Sequence, residues 1–360
     1  MRVPQFKSFV DKSDYARLEP VFENNYIAEG PFANQFSEKL LEIIGAKHGC
    51  FASNGTVALY LAMKALGIKA GDEVIVQNVT FIASANAVEM TGATPVFVDV
   101  KSYNDLSVDI SKIELTSKTK AVLIAPLFGG PNNNVEEVRE FCDQNNLFLI
   151  EDSAQALGIS NGTNHCGTFG DVGTFSFYAD KTITTAEGGY VVTDDDAVYE
   201  RMLYLRNQGR IKSGTFIHPE IGYNFRITDL QAALGLSQLD KLDTIVSAKQ
   251  HIYQRYSSTL GDKVSYLKLR PDFSHIPFRT VVFVEDAEQT MSQMAADDIE
   301  PRSVFYPLHK QPCYRHLGYN DEDFPHSMEC YQRGICLPTW VGLADEQIDH
   351  VCESLLKAIS

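Results

Sequence analysis

At 360 residues with a formal charge of −16, the chain is long enough for two domains and a large core, and its sign argues against nucleic acid and anionic membranes as partners. Seven scattered cysteines with no Cys-x-x-Cys pair fit a reducing compartment rather than a disulfide framework or a zinc site. The N-terminal Met1-Arg-Val-Pro-Gln-Phe-Lys lacks an apolar signal core, and no apolar run is long enough to span a bilayer, so a soluble, cytoplasmic protein is expected.

Residues 1–30 are mixed and give no clear element. A turn at Gly30-Pro31 then leads into a helix, with Phe32, Phe36, Leu40, Ile43 and Ile44 at helical spacing and Gly45 as its stop. From residue 49 onward, short runs rich in Val and Ile alternate with helical patterns. The predicted strands are Gly49–Ala52, Glu73–Val79, Pro95–Val100, Ala121–Leu127, Leu147–Ile150, Thr174–Phe177 and Gly189–Thr193. Helices are predicted over Gly55–Leu66, Ile82–Met90 and Val135–Gln144. Continuous apolar runs suit strands buried on both faces, and crossover helices between them imply a three-layer α/β domain. In such a sheet, ligands bind at the carboxyl ends of the strands.

After residue 195 the rhythm changes. A helix over Asp196–Arg206, a loop to 215 and helical stretches from Thr228 to Leu260 precede an α+β remainder. That remainder has strands near Val264–Leu267 and Thr280–Val284, and helices near Ala287–Asp297, Met328–Gly334 and Asp345–Ile359. A boundary near residue 245 divides the chain into a large domain, 1–245, and a small one, 246–360.

Several residues carry chemistry. Ser53-Asn54-Gly55-Thr56 follows the first strand and opens a helix, where backbone N–H groups can hold a phosphate; an ordinary N-cap has the same look. Glu151-Asp152-Ser-Ala-Gln155 follows a strand: one carboxylate could balance a protonated ring nitrogen and Gln155 could donate to a ring oxygen, or the pair could cap a helix. Phe81 could stack on a planar ring or fill a core. Lys181 lies between two strand-like runs, where desolvation lowers an amine's pKa and allows a Schiff base with an aldehyde. A lysine, a carboxylate, a helix start and an aromatic cover together suit pyridoxal 5'-phosphate. No Gly-x-Gly-x-x-Gly follows the first strand, which weighs against a dinucleotide oxidoreductase. A non-catalytic binder would have no need of a Schiff-base lysine.

Ordered motifs run from Tyr26 to the C-terminus: Gly30-Pro-Phe, Ser53-Asn-Gly-Thr, Gly71-Asp-Glu-Val-Ile-Val, Gly92-Ala-Thr-Pro-Val-Phe-Val-Asp, Glu151-Asp-Ser-Ala-Gln, Gly167-Thr-Phe-Gly-Asp, Lys181-Thr-Ile-Thr-Thr-Ala-Glu-Gly-Gly and Gly222-Tyr-Asn-Phe-Arg. On these the chain resembles the DegT/DnrJ/EryC1/StrS nucleotide-sugar aminotransferases, and within them the perosamine-synthase-like branch, through Phe305-Tyr-Pro-Leu-His-Lys and Leu337-Pro-Thr. The resemblance implies the fold type I architecture: an α/β domain with a mixed, mostly parallel seven-stranded sheet and a smaller α+β domain. It implies transfer of an amino group from L-glutamate to a nucleotide-linked 4-keto-6-deoxy sugar for glycan or O-antigen biosynthesis. The alternative within the family is amination at C3, or of a UDP- or dTDP-ketosugar.

By the same resemblance Lys181 carries the cofactor and shuttles the proton, Asp152 pairs with the pyridine nitrogen, and Gln155 meets the ring hydroxyl. Gly55, Thr56 and Ser176 hold the phosphate, and Asn224 reaches the cofactor of a second subunit in a homodimer with shared sites. For the sugar diphosphate the candidate cations are Arg210, Lys212, Arg226, Arg302, His309, Lys310 and Arg315, with His309 foremost; Glu187 is a further substrate contact. Two departures stand out. Ala186 occupies a place where the family usually has glycine, and Pro126-Leu-Phe128-Gly-Gly-Pro-Asn-Asn replaces a loop that usually carries His or Tyr and Asp.

Overall fold

The apolar runs of the first half pair into one seven-stranded sheet in the computed structural model, which describes residues 1–211, 214 and 216–360. The chain begins with α1 (Lys12–Glu23) and α2 (Pro31–Ile44), then β1 (His48–Ala52), α3 (Gly55–Ala65), β2 (Glu73–Gln77), α4 (Ala83–Thr91) and β3 (Thr94–Val98). A hairpin, β4 (Val100–Ser102) and β5 (Asp105–Val108), precedes β6 (Thr119–Ile124), α5 (Val135–Asn145), β7 (Phe148–Asp152), β8 (Val172–Ser176) and β9 (Gly189–Thr193). The sheet order is β1-β9-β8-β7-β6-β2-β3. Strands β3, β2, β6, β7 and β8 are parallel neighbours, and β9 runs antiparallel to both β8 and β1. The sheet is therefore mixed and mostly parallel. Helix α3 buries every residue from Ala58 to Met63, as a helix covered on several sides must.

Helices α6 (Asp196–Arg206), α7 (Asp229–Asp240) and α8 (Leu242–Leu260) follow, then β10 (Ser265–Tyr266), β11 (Thr280–Phe283), α9 (Ala287–Ala296), β12 (Arg302–Ser303), α10 (Pro325–Arg333), β13 (Gly334–Leu337) and α11 (Asp345–Ile359). The last strands form a separate antiparallel sheet, β10-β11-β13-β12. Its core joins Ile252, Tyr256 and Leu260 of α8 to Val351 and Leu355 of α11. Val3 sits in the same core and bridges to Ile299, so the first residues of the chain pack with the last.

The turn before α2 has a long-range explanation. Asp229, at the start of α7, accepts hydrogen bonds from the N–H groups of Gly30 at 2.8 Å and Ala33 at 3.0 Å. A carboxylate at a helix N-terminus satisfies free donors and complements the dipole. Elements absent from the sequence reading have weak patterns. Helix α1 buries only Asp14 and Val21 and is held by an Asp11 capping box, so no apolar stripe marks it. Strand β12 has two residues and β13 four, too few for a period. Helix α10 starts at Pro325, a favoured first position, three residues before the predicted Met328.

Candidate active site

Three carboxyl-end features of the large sheet meet at one cavity of about 610 Å³. The first is the end of β7. Successive strand residues face opposite ways, so Glu151 and Asp152 part company. Glu151 is fully buried and accepts from the N–H groups of Gly167 (2.8 Å), Phe169 (2.7 Å) and Gly170 (2.8 Å). Asp152 lines the cavity instead. Ser84, at the start of α4, donates its hydroxyl to Asp152 Oδ2 at 2.6 Å. Burial raises the Asp152 pKa, while the Ser84 hydrogen bond and the Lys181 charge pull it down.

The second feature is the start of α3. Asn54 caps it by accepting from Val57 N–H at 2.9 Å. The first N–H groups of a helix have no intrahelical acceptor, and here they belong to Gly55 and Thr56, both lining the cavity. Ser176, the last residue of β8, packs so close that a Cβ on Gly55 would stand 2.9 Å from its own Cβ. Only glycine leaves this cradle open.

The third feature is the turn between β8 and β9. Thr182, Ile183, Thr184 and Thr185 are buried. Thr184 Oγ1 donates to Phe177 O at 3.1 Å and accepts from Ala186 N–H at 2.9 Å; Thr185 Oγ1 donates to Glu187 O at 2.7 Å. This wrapping holds Ala186 at φ 66°, a left-handed conformation that glycine adopts without strain, at the position where the chain departs from the usual residue. Lys181 projects from the turn into the cavity, its Nζ 4.6 Å from the centre of the Phe278 ring. Burial lowers the Lys181 pKa; Asp180 and Asp152 oppose that, and Arg279 adds to it. The amine and the Asp152 carboxylate thus border one cavity.

The remaining expected residues divide. Gln155 lines the cavity; its Oε1 accepts from Phe128 N–H at 2.7 Å, which leaves the amide nitrogen as a donor. Phe81 also lines it and is 55% exposed, which excludes the core alternative. Its ring is 5.9 Å from Phe305, which stacks on Phe128 at 5.2 Å. Phe128, in the departing loop, holds φ 56°. Glu187 and Arg302 border the same space.

His309 does not. It is buried against Phe324 at 4.4 Å, with Nδ1 2.9 Å from Asn78 Nδ2 and Nε2 3.2 Å from Asp321 Oδ1. Both ring nitrogens already have partners within the chain. Lys310 is likewise engaged, at 2.7 Å from Asp321. Arg210, Arg226, Asn224 and Arg315 lie outside the cavity; Asn224 is exposed and accepts from Arg226 Nε at 3.0 Å. Lys212 falls outside the described residues. Arg279, which no sequence motif marks, is a buried cavity residue paired with Asp180 at 2.8 Å. A single arginine before a predicted strand carries no signal of that burial.

These residues fit pyridoxal phosphate: a glycine cradle for the phosphate, a buried carboxylate for the ring nitrogen, a free amide donor and an amine of lowered pKa. Residues 9–356 match the DegT/DnrJ/EryC1/StrS aminotransferase family. The chain is 37% identical to the GDP-perosamine synthase of Vibrio cholerae, covering 98% of each chain. It is also 37% identical to that of Escherichia coli O157:H7, covering 98% of this chain and 97% of the relative. Among solved structures it superposes on the aminotransferase TlmJ from Streptoalloteichus hindustanus with a TM-score of 0.93 at 26% identity, covering 99% of both chains. It superposes on the PLP form of the putative sugar aminotransferase Spr1654 from Streptococcus pneumoniae with a TM-score of 0.92 at 25% identity, covering 100% of both. Family, fold and site chemistry agree, and the chain belongs to the PLP-dependent DegT/DnrJ/EryC1/StrS aminotransferases.

Proposed function

We propose that this aminotransferase moves the amino group of L-glutamate onto a GDP-linked 4-keto-6-deoxy sugar, at C4, for glycan biosynthesis. The observation that carries the reading is the meeting of Lys181, Asp152 and the Gly55 cradle at one cavity, together with full-length likeness to two GDP-perosamine synthases. When bound, pyridoxal phosphate supplies an aldehyde that takes up the amine and a ring that withdraws charge. In this reading Asp152 holds the proton on the ring nitrogen. Gln155 donates to the ring hydroxyl, and the N–H groups of Gly55 and Thr56 with the Ser176 hydroxyl hold the phosphate. Phe81 covers the ring. Lys181 Nζ takes the proton from the donor's amine-bearing carbon and returns it one position along, first for glutamate and then in reverse for the sugar. Arg279 and Arg302 are the cavity cations available to an anionic substrate, and Glu187 a polar contact for the sugar.

We further read the enzyme as a homodimer in which Asn224 and Arg226 serve the partner's site. The support is their position outside their own cavity, close in sequence to exposed apolar residues Phe216 (85%), Ile217 (74%) and Ile221 (81%). We place the enzyme in the cytoplasm: all seven cysteines are unpaired, and no helix among the described residues is long and apolar enough to cross a membrane. We put the division between a large and a small domain near residue 245, inside α8.

The test is to offer GDP-, UDP- and dTDP-4-keto-6-deoxy sugars with L-glutamate and to identify products by mass and NMR. Amination of the GDP sugar at C4 is expected. Preference for a UDP or dTDP sugar, or amination at C3, selects the other branch of the family. Amination of none overturns the substrate reading.

A further inference from the structure

The buried stripe of α8 reads Ile245, Lys249, Ile252, Tyr256, Leu260: four largely apolar side chains and one lysine at core spacing. Lys249 is 4% exposed. Its nitrogen has three donor positions, and among the described residues it makes one hydrogen bond, a long one of 3.4 Å to the carbonyl of Pro277. A charge so poorly paired is costly to bury, and a methionine would fill similar space. What distinguishes the position is its neighbours.

Lys249 Nζ lies 5.8 Å from the centre of the Phe278 ring. The same centre is 4.6 Å from Lys181 Nζ and 4.3 Å from the Arg279 guanidinium. Arg279 is held by Asp180 at 2.8 Å. Lys181, Asp180, Lys249 and Arg279 also border a second cavity of about 20 Å³, with Lys7 at the same lining and room for about one water. Lys7 is engaged elsewhere, over the Trp340 ring at 4.5 Å. The charged groups facing Lys249 are thus Lys181, Asp180 and Arg279, with Asp152 across the larger cavity. Three cations face two carboxylates, so with Arg279 permanently charged only one of Lys181 and Lys249 can be protonated without leaving an unbalanced positive charge. Burial, helped by Arg279 and Lys181 and opposed by Asp180, pushes Lys249 down to about 7.

We propose that Lys249 is a positioning residue for the aminotransferase reaction: it and Lys181 share a limited positive charge across the Phe278 ring, so a proton on Lys249 discourages one on Lys181. This keeps the cofactor-bearing nitrogen in its uncharged, proton-accepting form. The proposal rests on the reading of Lys181 as the lysine that carries the cofactor.

The experiment uses holoenzyme with Lys249→Met and Lys249→Arg beside wild type. The pH midpoint of the visible absorbance change of the bound cofactor is titrated, and thermal melting is followed at neutral pH. Met removes the opposing charge and is expected to raise the midpoint by about half a pH unit or more. Arg makes the charge permanent and is expected to lower it. Met is also expected to melt no lower than wild type, because an unfavourably buried amine has gone. Midpoints unmoved in both variants, or moved the same way, overturn the proposal. Should Met yield no folded protein, Arg against wild type decides alone: a lowered midpoint supports the role and an unchanged one removes it. The underlying reading fails separately, and takes the proposal with it, if Lys181→Ala keeps the visible absorbance.

Discussion

Adjacent carboxylates at residues 151 and 152 do different things because β7 turns them to opposite faces. Asp152 meets the cavity with one hydroxyl partner, whereas Glu151 gathers three backbone N–H groups and thereby fixes the loop from Gly167 to Gly170. Burial pushes the Glu151 carboxyl up to about 7 against the pull of those donors. Its role in this arrangement is structural. Glu151→Ala leaves three donors without an acceptor, and the expected cost is about 3 kcal/mol or more, read from urea denaturation. Folded Glu151→Ala protein is expected to keep its cofactor absorbance. Unchanged stability would show that the loop is held by other contacts.

The helix start at α3 acts as a unit: Asn54 turns the chain, Gly55 leaves room, and Ser176 at the end of β8 closes the far side. Gly55→Ala places a Cβ 2.9 Å from the Ser176 Cβ and fills the cradle. Cofactor affinity is expected to fall by about tenfold or more, since a misplaced helix start forfeits charge-assisted hydrogen bonds to the phosphate. The check is a cofactor titration followed by absorbance, beside a melting curve of apoprotein; equal affinity with equal stability would move the phosphate elsewhere. The helix start itself was legible in the sequence because Ser53-Asn54-Gly55-Thr56 carries its capping pattern locally, whereas the Ser176 side of the cradle is a long-range contact; Lys181, set between two strand-like runs, was legible too. The choice between Glu151 and Asp152 was not, because a strand buried on both faces shows no alternation to reveal which side faces a ligand. The surroundings of His309 are hidden for a related reason. Its polar motif suggests a substrate contact, yet its partner Asn78 stands 231 residues earlier. Arg279 and Lys249 are two more cases where long-range packing around Phe278, absent from any local pattern, decides what a side chain does. The antiparallel entry of β9 beside β1 is likewise a matter of topology that apolar runs alone do not encode.

At the scale of the molecule, the proposed homodimer needs two chains for one complete site. Lys181 lies inside its own cavity, and Asn224 lies exposed outside it. Lys181→Ala and Asn224→Ala proteins, each inactive alone, are therefore expected to recover about a quarter of wild-type activity when their chains are mixed by co-expression, since half the dimers would be hybrid and each hybrid would hold one intact site. No recovery, with hybrids shown to form, would return Asn224 to its own chain or to no role at all.

The claim beneath all of this is a covalent one, at one nitrogen. Holoenzyme treated with borohydride, digested and mapped by mass spectrometry would report where the cofactor was attached. A pyridoxyl group on Lys181 alone is the predicted result, and a pyridoxyl group on Lys249 or any other lysine, or on none, would contradict it.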